Sequence, residues 1–143
     1  MVNIVPAEDE ALRAQAYALR HAIFVVEQGV PEELERDTHD EGALHLVALE
    51  GDRCVGTGRL VRQAGGVGRV GRMAVQARFR GRGVGGLVLA ALEARAKAEG
   101  LSEIELHAQL YVERFYLRRG YARVGAPFVE AGIDHVLMRK RIA

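Results

Sequence analysis

The stretch that decides the fold runs from Ala74 to Gly100 and reads AVQARFRGRGVGGLVLAALEARAKAEG. Its glycine run matches two phosphate-binding patterns at once. Gly81 to Gly86 satisfies G-x-G-x-x-G, the dinucleotide-binding pattern, and Arg80 to Gly85 satisfies R-x-x-G-x-G, a second pyrophosphate-binding pattern. In both, glycines let backbone N–H groups approach phosphate oxygens, and the following helix adds the positive end of its dipole. The loop alone predicts a phosphate ligand without choosing between the patterns.

The predicted elements around this loop form a strand–loop–helix–strand unit. A strand from Arg69 to Val75 precedes the glycines, and an apolar-faced helix follows them and ends at Gly100. A short strand then spans Ile104 to Ala108. Because a helical crossover connects the two strands, we expect them to pair in parallel.

The flanking sequence predicts further strands and helices, and the fold class is therefore α/β, an α+β mixed sheet. Strands at Leu44–Leu49 and Cys54–Val61 join Arg69–Val75 in an antiparallel meander of three strands. Helices are predicted at Ala7–Val26 and Tyr111–Arg119, and final strands near Tyr121–Val124 and His135–Lys140, on either side of a loop containing glycine and proline.

Composition indicates one globular domain over residues 1–143, with 49% hydrophobic and 27% charged residues. The longest uncharged run, Gly83 to Leu92, is about half of what a membrane span needs, so we expect no membrane association. The N-terminus lacks the pattern of a secretion signal. Cys54 is the only cysteine, which excludes an intrachain disulfide and favours a cytoplasmic protein with Cys54 in the core.

Charges are segregated although the net charge is only +1. Seven acidic residues lie between Glu27 and Glu41, whereas eight arginines and no acid lie between Arg53 and Arg82. This pattern predicts an anion site built by the second stretch and a cation-attracting mouth near the first. A nucleic-acid partner is not expected, because no aromatic platform accompanies the arginines.

The context of the loop argues against a dinucleotide-binding fold. Such a fold places its glycines in a tight turn after the strand, with an acid about 20 residues further on. Here Gln76 to Arg80 intervene, and the correctly spaced acid, Glu105, lies inside the predicted strand. Only 35 residues follow Ala108, too few for the remaining strand–helix units.

Two longer segments carry a family resemblance. RMAVQARFRGRGVGGLVLAALEARAKAEG, from Arg72, resembles motif A of the GNAT superfamily of N-acetyltransferases, and HAQLYVERFYLRRGY, from His107, is similar to its motif B. LRHAIFVVEQGVPEELERDTHDEGALHLVA and AGIDHVLMRKR resemble the small bacterial ElaA-like branch. The likeness extends over nearly the whole chain and implies the GNAT acyl-CoA N-acyltransferase fold.

The resemblance implies a cofactor site for acetyl-CoA. The strand residues Met73, Ala74 and Val75 would bind the pantetheine arm through their backbone, and an N–H at Met73 or Val75 could stabilise the oxyanion of the tetrahedral intermediate. Gln109 stands where the family usually has asparagine, and its amide would contact pantetheine. The pyrophosphate would be bound by the loop residues Arg80, Gly81, Arg82, Gly83, Val84, Gly85 and Gly86.

The resemblance also gives Tyr116 the role of general acid for the departing CoA thiolate. Packing is the alternative for Tyr116, and it is the expected role of Phe115. An amine acceptor must lose a proton, and the first candidates for its base are Glu27 and His107, followed by His45 and His135. No histidine pair has the spacing of metal ligands, so we expect no metal.

These observations predict an enzyme that moves an acetyl group from acetyl-CoA to a primary amine of a small molecule or peptide, by direct transfer in a ternary complex. The acidic Glu27–Glu41 segment motivates the hypothesis of a cationic acceptor. The alternative is a non-catalytic acyl-CoA-binding or regulatory module of the same fold, because Gln109 departs from the family pattern. The choice between monomer and homodimer stays open.

Overall fold

A mixed sheet of seven strands forms the centre of the fold in the computed structural model, which describes residues 1–143. The strands lie in the order β1-β2-β3-β4-β5-β7-β6, and only the pair β4 and β5 is parallel. The strands are β1 (Asn3–Pro6), β2 (Leu44–Glu50), β3 (Arg53–Gln63), β4 (Val67–Val75), β5 (Glu103–Gln109), β6 (Ala122–Glu130) and β7 (Ile133–Arg141).

Helices cover both faces of the sheet. The longest, α3 (Val84–Ala98), packs on one face over β2, β3 and β4, and α1 (Glu10–Arg20) packs on the opposite face of the same strands. A π-helical segment, His21–Glu27, continues α1. The remaining helices are α2 (Glu32–Glu35), α4 (Glu113–Leu117) and the 3-10 turns Thr38–Asp40, Ala64–Gly66, Ala77–Phe79 and Leu110–Val112.

The core consists of two apolar clusters, one on each face. The α3 face holds the larger cluster, which includes Leu60, Val88 and Ile104, and the α1 face holds a smaller one around Val47 and Ala74. Cys54 is buried in the smaller cluster, where burial raises the pKa of its thiol to about 11. The expectation that Cys54 is a core residue is therefore confirmed.

The antiparallel meander β2-β3-β4 and the parallel crossover from β4 through α3 to β5 are confirmed. The sequence prediction missed β1, a four-residue edge strand too short to show an alternating pattern. The predicted helix over Ala7–Val26 is wrong at its start. Asp9 caps α1 by accepting a hydrogen bond from the Leu12 backbone N–H at 2.7 Å, so the helix begins at Glu10.

The predicted loop between the last two strands is also wrong over most of its length. β6 continues to Glu130 and meets β7 across a two-residue turn. The pairing shifts between Val124 and Phe128, which accommodates Gly125 and Pro127 on an edge strand where proline breaks no inner ladder. The predicted helix over Tyr111–Arg119 is shorter than expected, because its start forms a 3-10 turn.

The feature that positions the site is the divergence of β4 from β5. The two strands pair only over Val67–Val70 and Glu103–Leu106. Beyond that point β4 carries a bulge against β3, with Arg72 at a φ of 53°, in the left-handed region. The backbone of Gly71–Val75 therefore has no strand partner on its β5 side.

Candidate active site

A cleft of about 1090 Å³ opens where β4 and β5 diverge. Its walls are the end of β4, the glycine loop (residues 81–86), the end of β5 and the helix α4. It continues across the sheet face opposite α3, between α2 and the β6–β7 hairpin. This volume lies at the upper end of the range for small-molecule and cofactor sites.

The glycine loop presents unpaired backbone N–H groups to the cleft. Phe79, 8% exposed, anchors the loop in the core. Gly83 is the N-terminal cap of α3 and adopts a φ of 81°. No side chain accepts a hydrogen bond from the first turn of this helix, and no acidic residue lies in that turn. The first N–H groups of a 15-residue helix are thus free for an anion. The loop fits the pyrophosphate that the sequence predicts there.

Arg119, which the sequence analysis did not assign, adds positive charge beside this loop. Its guanidinium stacks 3.9 Å from the centre of the Phe115 ring and donates to the Phe115 carbonyl at 2.9 Å. A Cβ on Gly86 would lie 2.8 Å from its Nη2, so only glycine lets Arg119 lie against α3. Arg119 forms no ion pair and lines the cleft. In the sequence, two consecutive arginines before Gly120 were the one indication of positive charge at this point.

Arg80 faces the cleft but is held by Glu27. Both terminal nitrogens of Arg80 donate to the Glu27 carboxylate, at 2.8 and 3.0 Å, and its Nε donates to the Val75 carbonyl at 3.1 Å. The hydrogen bond from Arg80 lowers the pKa of Glu27. Glu27 is consequently a weak proton acceptor, and it does not line the cleft itself.

Gln109 is connected to the same segment. Its amide nitrogen donates to Gln28 at 2.8 Å, and Gln28 donates to the Tyr111 hydroxyl at 3.1 Å. The adjacent residues Glu27 and Gln28 thus contact the glycine-loop wall and the β5 wall, respectively. The hydrogen bond between Gln109 and Gln28 could not be predicted from a local sequence pattern, because 81 positions separate the two residues.

Most of the predicted cofactor residues line this one cleft. Met73, Ala74 and Val75 lie on the free part of β4. Arg82 is the exception, because its guanidinium lies over the Phe79 ring, 5.3 Å from its centre, and does not line the cleft. The cleft-lining residues predicted from sequence are Met73, Ala74, Val75, Arg80, Gly81, Gly83, Val84, Gly85, Gly86, Gln109, Tyr116, His107 and His135.

Tyr116 lines the cleft from α4 and is 8% exposed. The rings of Phe115 and Tyr121 contact it edge-on, with centres 5.0 and 5.8 Å away. Burial raises the pKa of Tyr116 to about 12. The phenol therefore stays protonated at neutral pH, the state that a general acid requires.

The predicted histidines occupy different environments. His107 lines the cleft, and its Nδ1 lies 2.9 Å from the Glu130 carboxylate. His135 also lines the cleft, and its Nδ1 lies 2.7 Å from the Ile133 carbonyl. His45 is buried away from the cleft against the Asp40 carbonyl, and burial lowers its pKa. His45 is thus placed for a structural role.

The acidic segment presents less free negative charge than the sequence suggested. Arg20 donates to Glu35 at 2.7 Å and to Asp40 at 2.8 Å, deep in the protein. Asp37 is paired with both Arg59 and Arg72. Since Glu27 is paired as well, four of the seven acids are neutralised by arginine, and the hypothesis of a cationic acceptor loses this support.

Two further properties concern metals and membranes. The structure contains no group of three or more His, Cys, Asp or Glu side chains placed to hold one metal ion. None of its helices has the length and apolar character needed to cross a bilayer.

The diverging parallel strands, the uncapped glycine loop and the buried tyrosine define an acyl-CoA-dependent acyltransferase. Comparison with known proteins supports this class. Residues 7–142 match the family model described as an acetyltransferase (GNAT) domain. The N-acetyltransferase YjcF of Bacillus subtilis, itself uncharacterised, is 37% identical over 140 residues, which cover 97% of this chain and 99% of YjcF.

Solved structures show the same fold. A protein from Lactobacillus plantarum superposes with a TM-score of 0.92 at 36% identity, over 99% of both chains. Escherichia coli ElaA superposes with a TM-score of 0.88 at 23% identity, over 98% of this chain and 99% of ElaA. The chain belongs to the GNAT acetyltransferase family, and the resemblance to the GNAT superfamily found in the sequence is confirmed.

Proposed function

We propose that this acetyltransferase moves an acetyl group from acetyl-CoA to a primary amine of a small molecule or peptide, with both substrates bound at once. The observation that carries the proposal is one continuous cleft. The glycine loop, the free edge of β4, Tyr116 and His107 all line it. A thioester and an amine can therefore meet inside it without a covalent enzyme intermediate, and positioning supplies much of the acceleration.

Acetyl-CoA, when bound, supplies the acetyl group as a reactive thioester. The loop N–H groups and Arg119 bind its phosphates, Arg80 adds positive charge at the same wall while it stays paired with Glu27, and the backbone of Met73 to Val75 aligns the pantetheine arm. An N–H on this free edge of β4 stabilises negative charge on the carbonyl oxygen during attack.

Two side chains on opposite faces of the sheet move the protons. Tyr116, which is protonated at neutral pH, donates its phenolic proton to the leaving sulfur. His107 accepts the amine proton on the acceptor side, a role it fills better than Glu27 because Arg80 engages that carboxylate.

Binding and kinetics test this proposal together. Acetyl-CoA should raise the melting temperature because it binds the native state, and NAD should not. Initial rates with both substrates varied should give intersecting double-reciprocal lines. Parallel lines together with an acetylated enzyme in the mass spectrum would contradict direct transfer, and a shift with NAD alone would contradict the cofactor assignment.

A further inference from the structure

His107 and Glu130 form a pair on the acceptor side of the cleft. Leu106 is the last residue of β5 that pairs with β4, so the next residue, His107, lies at the mouth of the divergence. Glu130 ends β6, and the turn to β7 brings its carboxylate to 2.9 Å from His107 Nδ1. Both residues line the same cleft.

Aromatic packing fixes the imidazole of His107. The Phe128 ring contacts it edge-on, with ring centres 5.1 Å apart and planes at 80°. The same phenyl ring stacks on His135, at 6.0 Å and 20°. The imidazole is thus held by a carboxylate at one nitrogen and by a phenyl ring at its side, and the hairpin supplies both groups.

The pairing also selects the tautomer of His107. A hydrogen bond from His107 lowers the pKa of Glu130, so this carboxylate is ionised and can only accept. Nδ1 therefore carries the proton, and the lone pair of a neutral ring lies on Nε2. Nε2 has no hydrogen-bond partner in the protein, which leaves it free for a ligand in the cleft.

We propose that Glu130 is a positioning residue that holds His107 as the base for the acceptor amine. This inference rests on the proposed function. His107 Nε2 accepts the proton that the amine nitrogen loses as its bond to the acetyl carbon forms. Tyr116 donates a proton to sulfur as the carbon–sulfur bond breaks. The Glu130 carboxylate stabilises the resulting imidazolium, and solvent exchange restores both proton carriers.

The charged and titratable groups that face this pair come from three strands. Glu130 lies on β6, and His135 on β7 lies 3.9 Å from the second Glu130 oxygen. Arg72 on β4 also lowers the pKa of Glu130. Because Glu130 supplies the negative charge next to the His107 ring, its removal should disfavour the imidazolium.

The first experiment compares Glu130→Gln, Glu130→Asp and Glu113→Gln with the wild type in steady-state kinetics from acid to alkaline pH. Glu113→Gln is the matched control, because it removes a carboxylate that pairs with Arg123 of the same strand β6, outside the cleft. We expect Glu130→Gln to lower kcat by about tenfold to hundredfold and to move the acidic limb of the kcat profile to lower pH. KM for acetyl-CoA should not change, Glu130→Asp should recover part of kcat, and the control should match the wild type.

A double-mutant cycle with His107→Ala then decides how Glu130 acts. If Glu130 acts through His107, adding Glu130→Gln to His107→Ala lowers kcat no further. Multiplying effects would overturn the inference, as would a Glu130→Gln variant with wild-type kcat and pH profile. Melting temperatures identify any variant that fails to fold.

A measurement without substrate separates this inference from the proposed function. Imidazole ¹⁵N NMR of the wild type should show the Nδ1–H tautomer for His107 and a mixture in Glu130→Gln. The Nε2–H tautomer in the wild type would overturn the inference even if the enzyme turns over. Absence of turnover with the expected tautomer would instead count against the proposed function.

Discussion

At the scale of single residues, the partners of each side chain separate the two candidate bases, and the candidate acid is protonated at neutral pH. Tyr116 is buried among aromatic rings, and its raised pKa keeps the phenol protonated. Glu27 is neutralised by Arg80. His107 is oriented by Glu130 and leaves one nitrogen free. Three residues nominated on sequence grounds thus differ in their capacity to move a proton.

Replacing Tyr116 by phenylalanine tests the acid role, because it removes only the hydroxyl and keeps the aromatic packing. We expect kcat to fall by about a hundredfold, with the acetyl-CoA-induced shift in melting temperature retained. The matched control is Tyr121→Phe, whose hydroxyl donates to Glu93 outside the cleft. Equal activity of Tyr116→Phe and the wild type would leave Tyr116 with packing alone.

The site could be predicted from sequence where its residues are local. Arg80 to Gly86 are contiguous, so the loop followed from spacing, and its phosphate ligand stays a prediction. Glu130 could not be predicted, because it reaches His107 only through the β6–β7 hairpin. The arginine partners of the acidic segment could not be predicted either, because Arg59 and Arg72 lie on strands far from Asp37 in sequence.

At the scale of elements, the contact between α3 and Arg119, two residues beyond the end of α4, shapes the proposed phosphate site. Arg119 lies against the first turn of α3 because Gly86 has no side chain. The strand–loop–helix–strand unit was predictable from its periodicity and glycines. The helix after β5 was not predicted at its true length, because residues 110–112 form a 3-10 turn and the α-helix begins only at Glu113.

The substitution Gly86→Ala tests this contact. A Cβ would lie 2.8 Å from the flexible end of Arg119, so the guanidinium should move away at little cost in stability. We expect KM for acetyl-CoA to rise by about tenfold, from loss of a charge-assisted contact, with a nearly unchanged melting temperature. The neighbouring Gly85→Ala, whose Cβ meets Phe115 at ordinary contact distance, 3.4 Å, should change KM much less. Equal KM values in the two variants would contradict the role of Arg119.

At the scale of the whole molecule, a buried ion network ties the acidic segment to the sheet. Its members are Arg20, Glu35, Asp37, Asp40, Arg59 and Arg72. Burial alone would raise the pKa of Asp40, but hydrogen bonds from Arg20, the Asp37 backbone and Arg59 outweigh it and hold that pKa well below its usual range. The network also holds Arg72, the residue of left-handed φ at the bulge of β4.

This network predicts how stability depends on pH. Asp37 and Asp40 have lowered pKa values in the native protein and ordinary ones in the unfolded chain. As pH falls through the ordinary carboxyl range, the unfolded chain therefore binds more protons than the native one, and the free energy of unfolding should decrease below about pH 4. Asp40→Asn should destabilise the protein at pH 7 by about 3 kcal/mol, because it leaves buried arginine charge less compensated, and should flatten the acid dependence. Urea unfolding from pH 3 to 7 measures both, with Glu113→Gln as an exposed-pair control. An unchanged acid slope in Asp40→Asn would contradict this role.

The proposed function requires that one cleft binds acetyl-CoA and a primary amine together and that the acetyl group passes directly between them. The most direct test incubates the wild-type protein with acetyl-CoA and a panel of primary, secondary and tertiary amines of different charge, and quantifies acetylated amine and free CoA thiol. We expect an acetylated primary amine with one CoA thiol released per amide formed, and less of both products with Tyr116→Phe. Thiol release without an acetylated amine, or products unaffected by Tyr116→Phe and His107→Ala, would contradict it.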